Sequence, residues 1–245
     1  MIKIEHLTLT YGLTDVSFHI PQGKLVGIMG ANGAGKSTLL KAIAGILSPT
    51  SGQIVLGNDE LSTLSARQKS REIAYLAQNQ QIFWNLTVYD VIALGLPFPH
   101  KNTDEQAKVR SVSEQFSIMH LLEKPFQQLS GGEKTRVQLA RCGIKNSPIL
   151  LADEPIAPLD PYYQLDIMEQ LKSLTPEKTC VVVIHHLSLA YRFCDEVILL
   201  EKGKILAAGE TEKVLTQKNL GKAFRICAQI NTKEKEIYQI EKLEK

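Results

Sequence analysis

Gly30-Ala31-Asn32-Gly33-Ala34-Gly35-Lys36-Ser37-Thr38 is the stretch that decides how this chain folds. It fits G-x-x-x-x-G-K-[S/T], the pattern of a loop that cradles phosphates. Its setting agrees. A short apolar strand, Leu25-Val26-Gly27-Ile28-Met29, runs into it, and Leu39, Leu40, Ile43 and Leu47 after it share one side of a helix. Glycines let the backbone curl so that several N–H groups face one anion. The helix N-terminus adds partial positive charge. Lys36 then reaches the outer phosphates, and the Ser37 hydroxyl is placed to hold Mg²⁺. The expectation is a nucleoside triphosphate site.

Outward from this loop the chain reads as an α/β protein. Residues 2–20 read as strands, with Ile2 and Ile4, then Leu7 and Leu9, in near-alternation and Val16-Ser17-Phe18-His19-Ile20 repeating it. The first helix is expected to stop at Leu47-Ser48-Pro49. Gln53–Leu56 reads as a strand, residues around Ser65–Ser70 as a polar helix, and Ile73-Ala74-Tyr75-Leu76 as another strand. From about residue 79 to 148 the period turns helical (Val88, Val91, Ile92, Leu94; later Val109, Val112, Phe116, Met119), broken by Pro97 and Pro99. Apolar strands then return at Ile149–Ala152, Val181–Ile184 and Val197–Leu200, with helices near 161–173 and 187–193 between them. Continuous apolar strands alternating with helices make a parallel sheet buried on both faces. Lys233–Lys245 reads as either a short strand or a frayed helix.

Two further segments carry chemistry. Ile149-Leu150-Leu151-Ala152-Asp153-Glu154 is an apolar strand that delivers two acids to the carboxyl edge of the sheet. Asp153 is placed to hold Mg²⁺, and Glu154 to orient and deprotonate an attacking water. Leu129-Ser130-Gly131-Gly132-Glu133 opens another helix, with Ser130 as its cap and two glycines that expose N–H groups. A second anion-binding helix start in one chain is explained by a head-to-tail homodimer. Each ATP is then held by the phosphate loop of one subunit and the Ser130 turn of the other.

At this point the chain resembles the nucleotide-binding subunit of an ATP-binding cassette (ABC) transporter, over nearly its whole length and with motifs in family order. The resemblance implies an α/β P-loop fold with a mostly parallel sheet, an N-terminal antiparallel β subdomain and an inserted α-helical subdomain. It implies one domain over residues 1–245, its core formed by 1–78 and 149–245 and its helical part by 79–148. It implies ATPase activity with Mg²⁺. Gly30, Asn32, Gly33, Ala34, Gly35, Lys36, Ser37 and Thr38 match the P-loop, and Ser130, Gly131 and Gly132 the signature. Tyr11 matches the aromatic that stacks on adenine, although a strand-packing role is open. Gln78 matches the glutamine that touches Mg²⁺ and water. Asp153 and Glu154 match the acids of the second nucleotide motif, Asp160 the aspartate of the loop that crosses the dimer interface, and His185 the switch histidine at the γ-phosphate. Alternation along a strand would point His185 and His186 to opposite faces, which argues against a metal pair and leaves His186 a bystander.

The resemblance is closest to importers of iron-siderophore, haem and vitamin B12 chelates. Leu94-Gly95-Leu96-Pro97-Phe98-Pro99-His100 carries it, with Leu96 where an arginine is usual. It implies permease subunits, an indirect substrate-binding protein and a place on the cytoplasmic face of the inner membrane. A soluble ABC switch protein or an exporter subunit are the alternatives. Ile184, His186, Pro158 and Lys134-Thr135 depart from the family pattern. Composition fits this frame. A net charge of +2 gives no strong field toward nucleic acid, and no apolar run approaches the ~20 residues of a membrane span. The first residues, Met1-Ile2-Lys3-Ile4-Glu5, lack the apolar block of a signal peptide. Cys142, Cys180, Cys194 and Cys227 show no C-x-x-C spacing and read as reduced packing residues.

Overall fold

The structure, a computed structural model, describes residues 1–78, 84–96, 103–157 and 159–243. Pro97, Pro99 and His100 of the importer-like segment, and Pro158 of the interface loop, lie outside the described residues. In chain order come β1 (Ile2–Leu9), β2 (Leu13–Ile20), β3 (Leu25–Gly30), α1 (Lys36–Ile43), β4 (Ser51–Leu56), β5 (Asp59–Glu60), α2 (Ala66–Glu72) and β6 (Ile73–Leu76). Helices α3 (Val88–Ala93), α4 (Thr103–Gln115) and α5 (Gly131–Gly143) follow. Then come β7 (Ile149–Asp153), α6 (Pro161–Ser173), β8 (Thr179–Val183), α7 (Leu187–Phe193), β9 (Glu196–Glu201) and β10 (Lys204–Glu210). The last elements are α8 (Thr211–Val214), α9 (Gln217–Phe224), β11 (Ile226–Asn231) and β12 (Glu236–Lys242).

Two sheets organise the molecule. β2-β1-β4-β5 is antiparallel. The second sheet runs β10-β9-β3-β8-β7-β6, parallel except where β10 returns beside β9. Its strands are apolar on both faces because both are covered. In β8, Val181 and Val183 join the core shared with the antiparallel sheet and with Leu39, Leu40 and Ile43 of α1. Cys180 and Val182 join the core on the other side, with residues of α3 to α6. No helix of the described residues is long and apolar enough to cross a membrane. Cys142, Cys180 and Cys194 are free and buried, in keeping with a packing role, and Cys227 is half-buried and also free.

In β1 the expected apolar set Ile2, Ile4, Leu7 and Leu9 is the buried one, its alternation interrupted where His6 takes φ 48° and the register shifts. The sequence reading is adjusted in four places. α1 ends at Ile43, not at Leu47, because Gly45 turns left-handed at φ 69°. Leu47 consequently lies beyond the helix and largely faces solvent. Leu94 and Met119 also fall outside helices, as a C-cap and in a 3₁₀ turn. β8 stops at Val183, so Ile184 belongs to the loop. The tail is a strand, β12, which pairs with β11 and lies against α7, where the Ser188 hydroxyl donates to the Ile237 carbonyl at 2.6 Å.

Candidate functional site

Register places the candidate residues before any side chain is considered. Ile28, Val183 and Asp153 lie level across β3, β8 and β7, and Leu76 of β6 pairs with Ala152. Four parallel strands therefore end on one edge. β3 leads into the Gly30–Lys36 loop, β7 into Glu154, β8 into His185 and β6 into Gln78. This is the edge at which open α/β sheets bind ligands.

The loop is shaped by close backbone packing. Gly35 sits at φ 98°, and any side chain on it would meet the carbonyl oxygen of Gly12 in the β1–β2 turn. Thr38 lies beside Gly12 as well. The same turn is tied to the β9–β10 hairpin by Thr14 N–H to Gly203 O at 2.8 Å. Tyr11, next to Gly12, is 83 % exposed, so it packs into no core and stands in solvent beside the phosphate loop. Asn32 and Gly33 are exposed, while Ala34 is buried. α1 has no side-chain cap. Its first N–H groups are left for a ligand.

Lys36 is buried, and its Nζ donates to the carbonyls of Gly30 and Ala31, both at 3.0 Å. Burial pulls its ammonium pKa down, opposed by the charges of Glu154 and Asp153. Ser37 Oγ donates to Asp153 Oδ1 at 2.9 Å. Asp153 is only 2 % exposed, and burial pushes its carboxyl pKa up, against the Ser37 hydrogen bond. Tyr75 in β6 feels the same site: burial, then the Asp153 carboxylate, raise its phenol to about 12. Sequence reading passed over Tyr75; a hydroxyl in an otherwise apolar strand was its only signal.

Glu154 is held from two sides. Gln78 Nε2 donates to Glu154 Oε2 at 2.7 Å, and His185 Nε2 lies 2.8 Å from Glu154 Oε1. Glu154 itself takes φ 51°. That conformation costs about 1–2 kcal/mol for a residue with a Cβ, and such strain persists where the surroundings over-determine it. A cavity of about 310 Å³ opens beside this group, lined by Glu154, Ile156, Gln164, His185 and His186. His186 is not a strand residue, which corrects the sequence reading. The strand has already ended, and His186 caps α7, its Nδ1 accepting from Leu189 N–H at 3.3 Å.

The remaining candidates form a second group. Ser130 caps α5 through a capping box: its Oγ accepts from Glu133 N–H at 3.3 Å, and Glu133 Oε2 accepts from Ser130 N–H at 2.8 Å. Those hydrogen bonds from the Ser130 backbone and side chain hold the Glu133 carboxyl below its usual range. Gly131 is exposed and lies near Leu159, while Gly132 is buried against Tyr163 of α6. Asp160 is exposed and caps α6, accepting from Tyr163 N–H at 3.2 Å. The structure thus gathers the candidates into two clusters. Gly30–Thr38, Gln78, Asp153, Glu154 and His185 form one, with Tyr11 at its rim, and Ser130–Gly132 with Asp160 form the other.

Fold and first cluster together define a P-loop nucleotide-binding ATPase. A family model described as ABC transporter matches residues 13–157. The hemin import ATP-binding protein HmuV of Bordetella parapertussis is 40% identical, with 94% of each chain covered. The petrobactin import ATP-binding protein FpuD of Bacillus anthracis is 31% identical, covering 94% of this chain and 89% of its own. Among solved structures, the cassette MJ0796, a dimer in a post-hydrolysis state bound to ADP and Pi, superposes with a TM-score of 0.77. It is 30% identical, over 86% of this chain and 99% of that one. The chain belongs to the ABC transporter family, and it is an ATP-hydrolysing member.

Proposed function

We propose that this ATPase energises a membrane permease that imports metal chelates of the haem, siderophore or cobalamin type. The relatives named for hemin and petrobactin import support that reading. So does the importer-like segment around Leu94–His100. We place the chain on the cytoplasmic face of the inner membrane, bound to permease subunits and served indirectly by a substrate-binding protein. In this reading residues 1–78 and 149–245 form the core and 79–148 the helical part.

Our reading of the site follows from its geometry. The N–H groups of Gly33, Gly35 and Lys36 and the Lys36 ammonium hold the β- and γ-phosphates, while Ala34 N–H is spent on the Ala31 carbonyl at 3.1 Å. Lys36 then exchanges its two loop carbonyls for phosphate oxygens. Tyr11, exposed at the rim, stacks on the adenine. Ser37, Asp153 and Gln78 offer oxygen ligands, and the buried Asp153 carboxylate is tied to the Ser37 hydroxyl, a donor set that suits Mg²⁺. Bound there, Mg²⁺ neutralises charge on the phosphates. Glu154 takes a proton from the attacking water, while Gln78 and His185 fix its carboxylate. His185 is within reach of the γ-phosphate side of the same cluster.

The second cluster completes the site of another copy. The Ser130 hydroxyl accepts from Glu133 N–H and turns its own proton to the Glu133 carboxylate; facing a second copy, it would redirect that proton to the nucleotide. Two copies related head to tail bring Ser130–Gly132 and Asp160 of each onto the loop-bound ATP of the other. The observation that carries this reading is the meeting of Gln78, Glu154 and His185 beside the Ser37–Asp153 pair.

Glu154→Gln tests it. The variant is expected to bind ATP, to lose about 10²–10⁴-fold in turnover, and to accumulate as an ATP-dependent dimer in sedimentation. Turnover at the parental rate would remove Glu154 from its role. Import is tested by purifying the chain with its permease and reconstituting both in vesicles. Uptake of a metal chelate on addition of internal ATP is expected; a soluble scaffold in place of a permease would reject it.

A further inference from the structure

The first turns of α5 and α6 meet on one residue, Tyr163. A methyl group on Gly132 would stand 2.7 Å from Cγ, 2.8 Å from Cδ1 and 3.0 Å from Cδ2 of the Tyr163 ring. Only a residue without a Cβ lets the two helices approach this closely. One turn on from Gly132, the Arg136 guanidinium lies 5.6 Å from the centre of the same ring. Arg136 Nε is 3.8 Å from Asp166 Oδ2, three residues beyond Tyr163 on α6. The backbone of Tyr163 points the other way: its N–H is the donor that the Asp160 carboxylate accepts. The next residue, Gln164, donates to the carbonyls of Leu159 at 2.9 Å and Ile156 at 3.4 Å, which fastens the segment leading back to Glu154. Tyr162 is different. Its ring stands edge-on to Tyr163 at 5.3 Å and is mostly in solvent.

Tyr163 therefore touches the Ser130–Gly132 turn with its ring and the Asp160 loop with its backbone. We propose that Tyr163 is a positioning residue that makes the Ser130 turn and the Asp160 loop one rigid jaw, presented as a unit to the nucleotide of a second copy. This inference rests on the head-to-tail reading above. It adds the element that sets the jaw's shape. Arg136 packs over the ring and is itself held by Asp166. Without the ring, Gly132 faces a void, α5 loses its stop against α6, and the Ser130 hydroxyl and Asp160 no longer keep a fixed spacing. The contacts of Tyr163 described above are all with α5, α6 and the Asp160 loop, so nucleotide binding by a single copy is expected to be independent of it.

The experiment uses the full chain carrying Glu154→Gln, in which ATP is retained. Two quantities are measured: ATP affinity at protein concentrations where the chain is single, and the dissociation constant of the Mg·ATP dimer by sedimentation equilibrium. Tyr163→Ala is expected to leave the first unchanged and to raise the second at least about tenfold. Tyr163→Phe keeps both the ring and the backbone donor and is expected to match the parent. In protein with Glu154 intact, Tyr163→Ala is expected to recover specific activity as protein concentration rises, by mass action. A merely misfolded enzyme would not recover. Should Tyr163→Ala lose its thermal transition, Tyr163→Leu, which fills the space without a flat ring, is read in the same way. A Tyr163→Ala dimer as tight as the parent's overturns the inference, and so does a Phe variant as weak as the Ala variant. If the Glu154→Gln parent itself stays single with Mg·ATP, the head-to-tail reading fails, and this inference with it.

Discussion

The two helix starts that the proposed function assigns to nucleotide, those of α1 and α5, are built on opposite plans. α1 begins at Gly35 with no side-chain cap, and its lysine is buried against carbonyls of its own loop. α5 begins at Ser130 with a complete capping box. The first leaves donors unspent and a cation poorly solvated, so an incoming phosphate relieves both. The second has satisfied itself, its serine hydroxyl engaged with Glu133, and offers outward glycine N–H groups. In the proposed reading the comparison separates a grip from a lid: one region would bind nucleotide by itself, and the other would meet a nucleotide that a second copy has already bound. Charge follows the same division. Burial raises Asp153 beside the first helix, whereas hydrogen bonds to Ser130 lower Glu133 within the second.

The largest expected effect comes from breaking the grip. Lys36→Ala removes charge-assisted phosphate contacts of about 1.5–3 kcal/mol each. ATP affinity by calorimetry is therefore expected to fall by one to two orders of magnitude. Unchanged affinity would show that the N–H groups alone hold the phosphates.

A smaller effect is expected from the lid. Ser130→Ala removes both a cap worth about 1 kcal/mol and, in the proposed reading, the hydroxyl that would reach the second nucleotide. ATP affinity of the single chain should hold, while turnover falls and the dimer weakens. A loss of single-chain affinity equal to that of Lys36→Ala would erase the distinction between the two regions.

The smallest effects have opposite signs in pH. Asp153 has a folded pKa above its unfolded value, so its contribution favours folding at low pH and is lost as pH rises through the folded value. Asp153→Asn removes this cost. It is expected to raise the melting temperature of the nucleotide-free protein at pH 8 by about 2–4 °C, as ~1 kcal/mol does in a chain of this size, and to lose that advantage toward pH 4. Glu133 has a depressed folded pKa. Its contribution is present above the unfolded carboxylate value near ~4.3 and is lost as pH falls through the folded one. Glu133→Gln keeps the box geometry. It is expected to cost only tenths of a kcal/mol near neutrality and to flatten the acid side of the stability curve. Melting curves from pH 4 to pH 8 check both, and shifts of the same sign in the two variants would break the contrast.

Much of this was legible in the chain because it is local chemistry. The glycine spacing of Gly30–Lys36, the apolar strand ending in Asp153-Glu154, the α6 and α7 spans and the Ser130 cap each follow from residues within a few positions of one another. The misreadings also have local causes. A single left-handed residue, Gly45, ended α1 before the proline that the sequence offers as its stop. His186 was read as a strand residue because Ile184 extends the apolar run past the last ladder pair, Asp153 with Val183. Tyr163 was passed over because nothing near it in sequence marks it. Its meaning lies in Gly132, thirty-one positions earlier.

By itself the sequence determined which groups this protein owns: a phosphate loop, two acids at a strand end, a capped glycine turn, and the order in which they come. Those are matters of hydrogen-bond donors, φ preference and period, which act over a turn or a strand. Only the tertiary structure decided which groups meet. The common rank of Ile28, Val183 and Asp153 across the parallel sheet aims Gln78, Glu154 and His185 at one point. The close seat of Tyr163 on Gly132 joins two loops that the chain keeps apart. Strand register and helix contact are set by the packing of the whole core, and no short window of residues contains them.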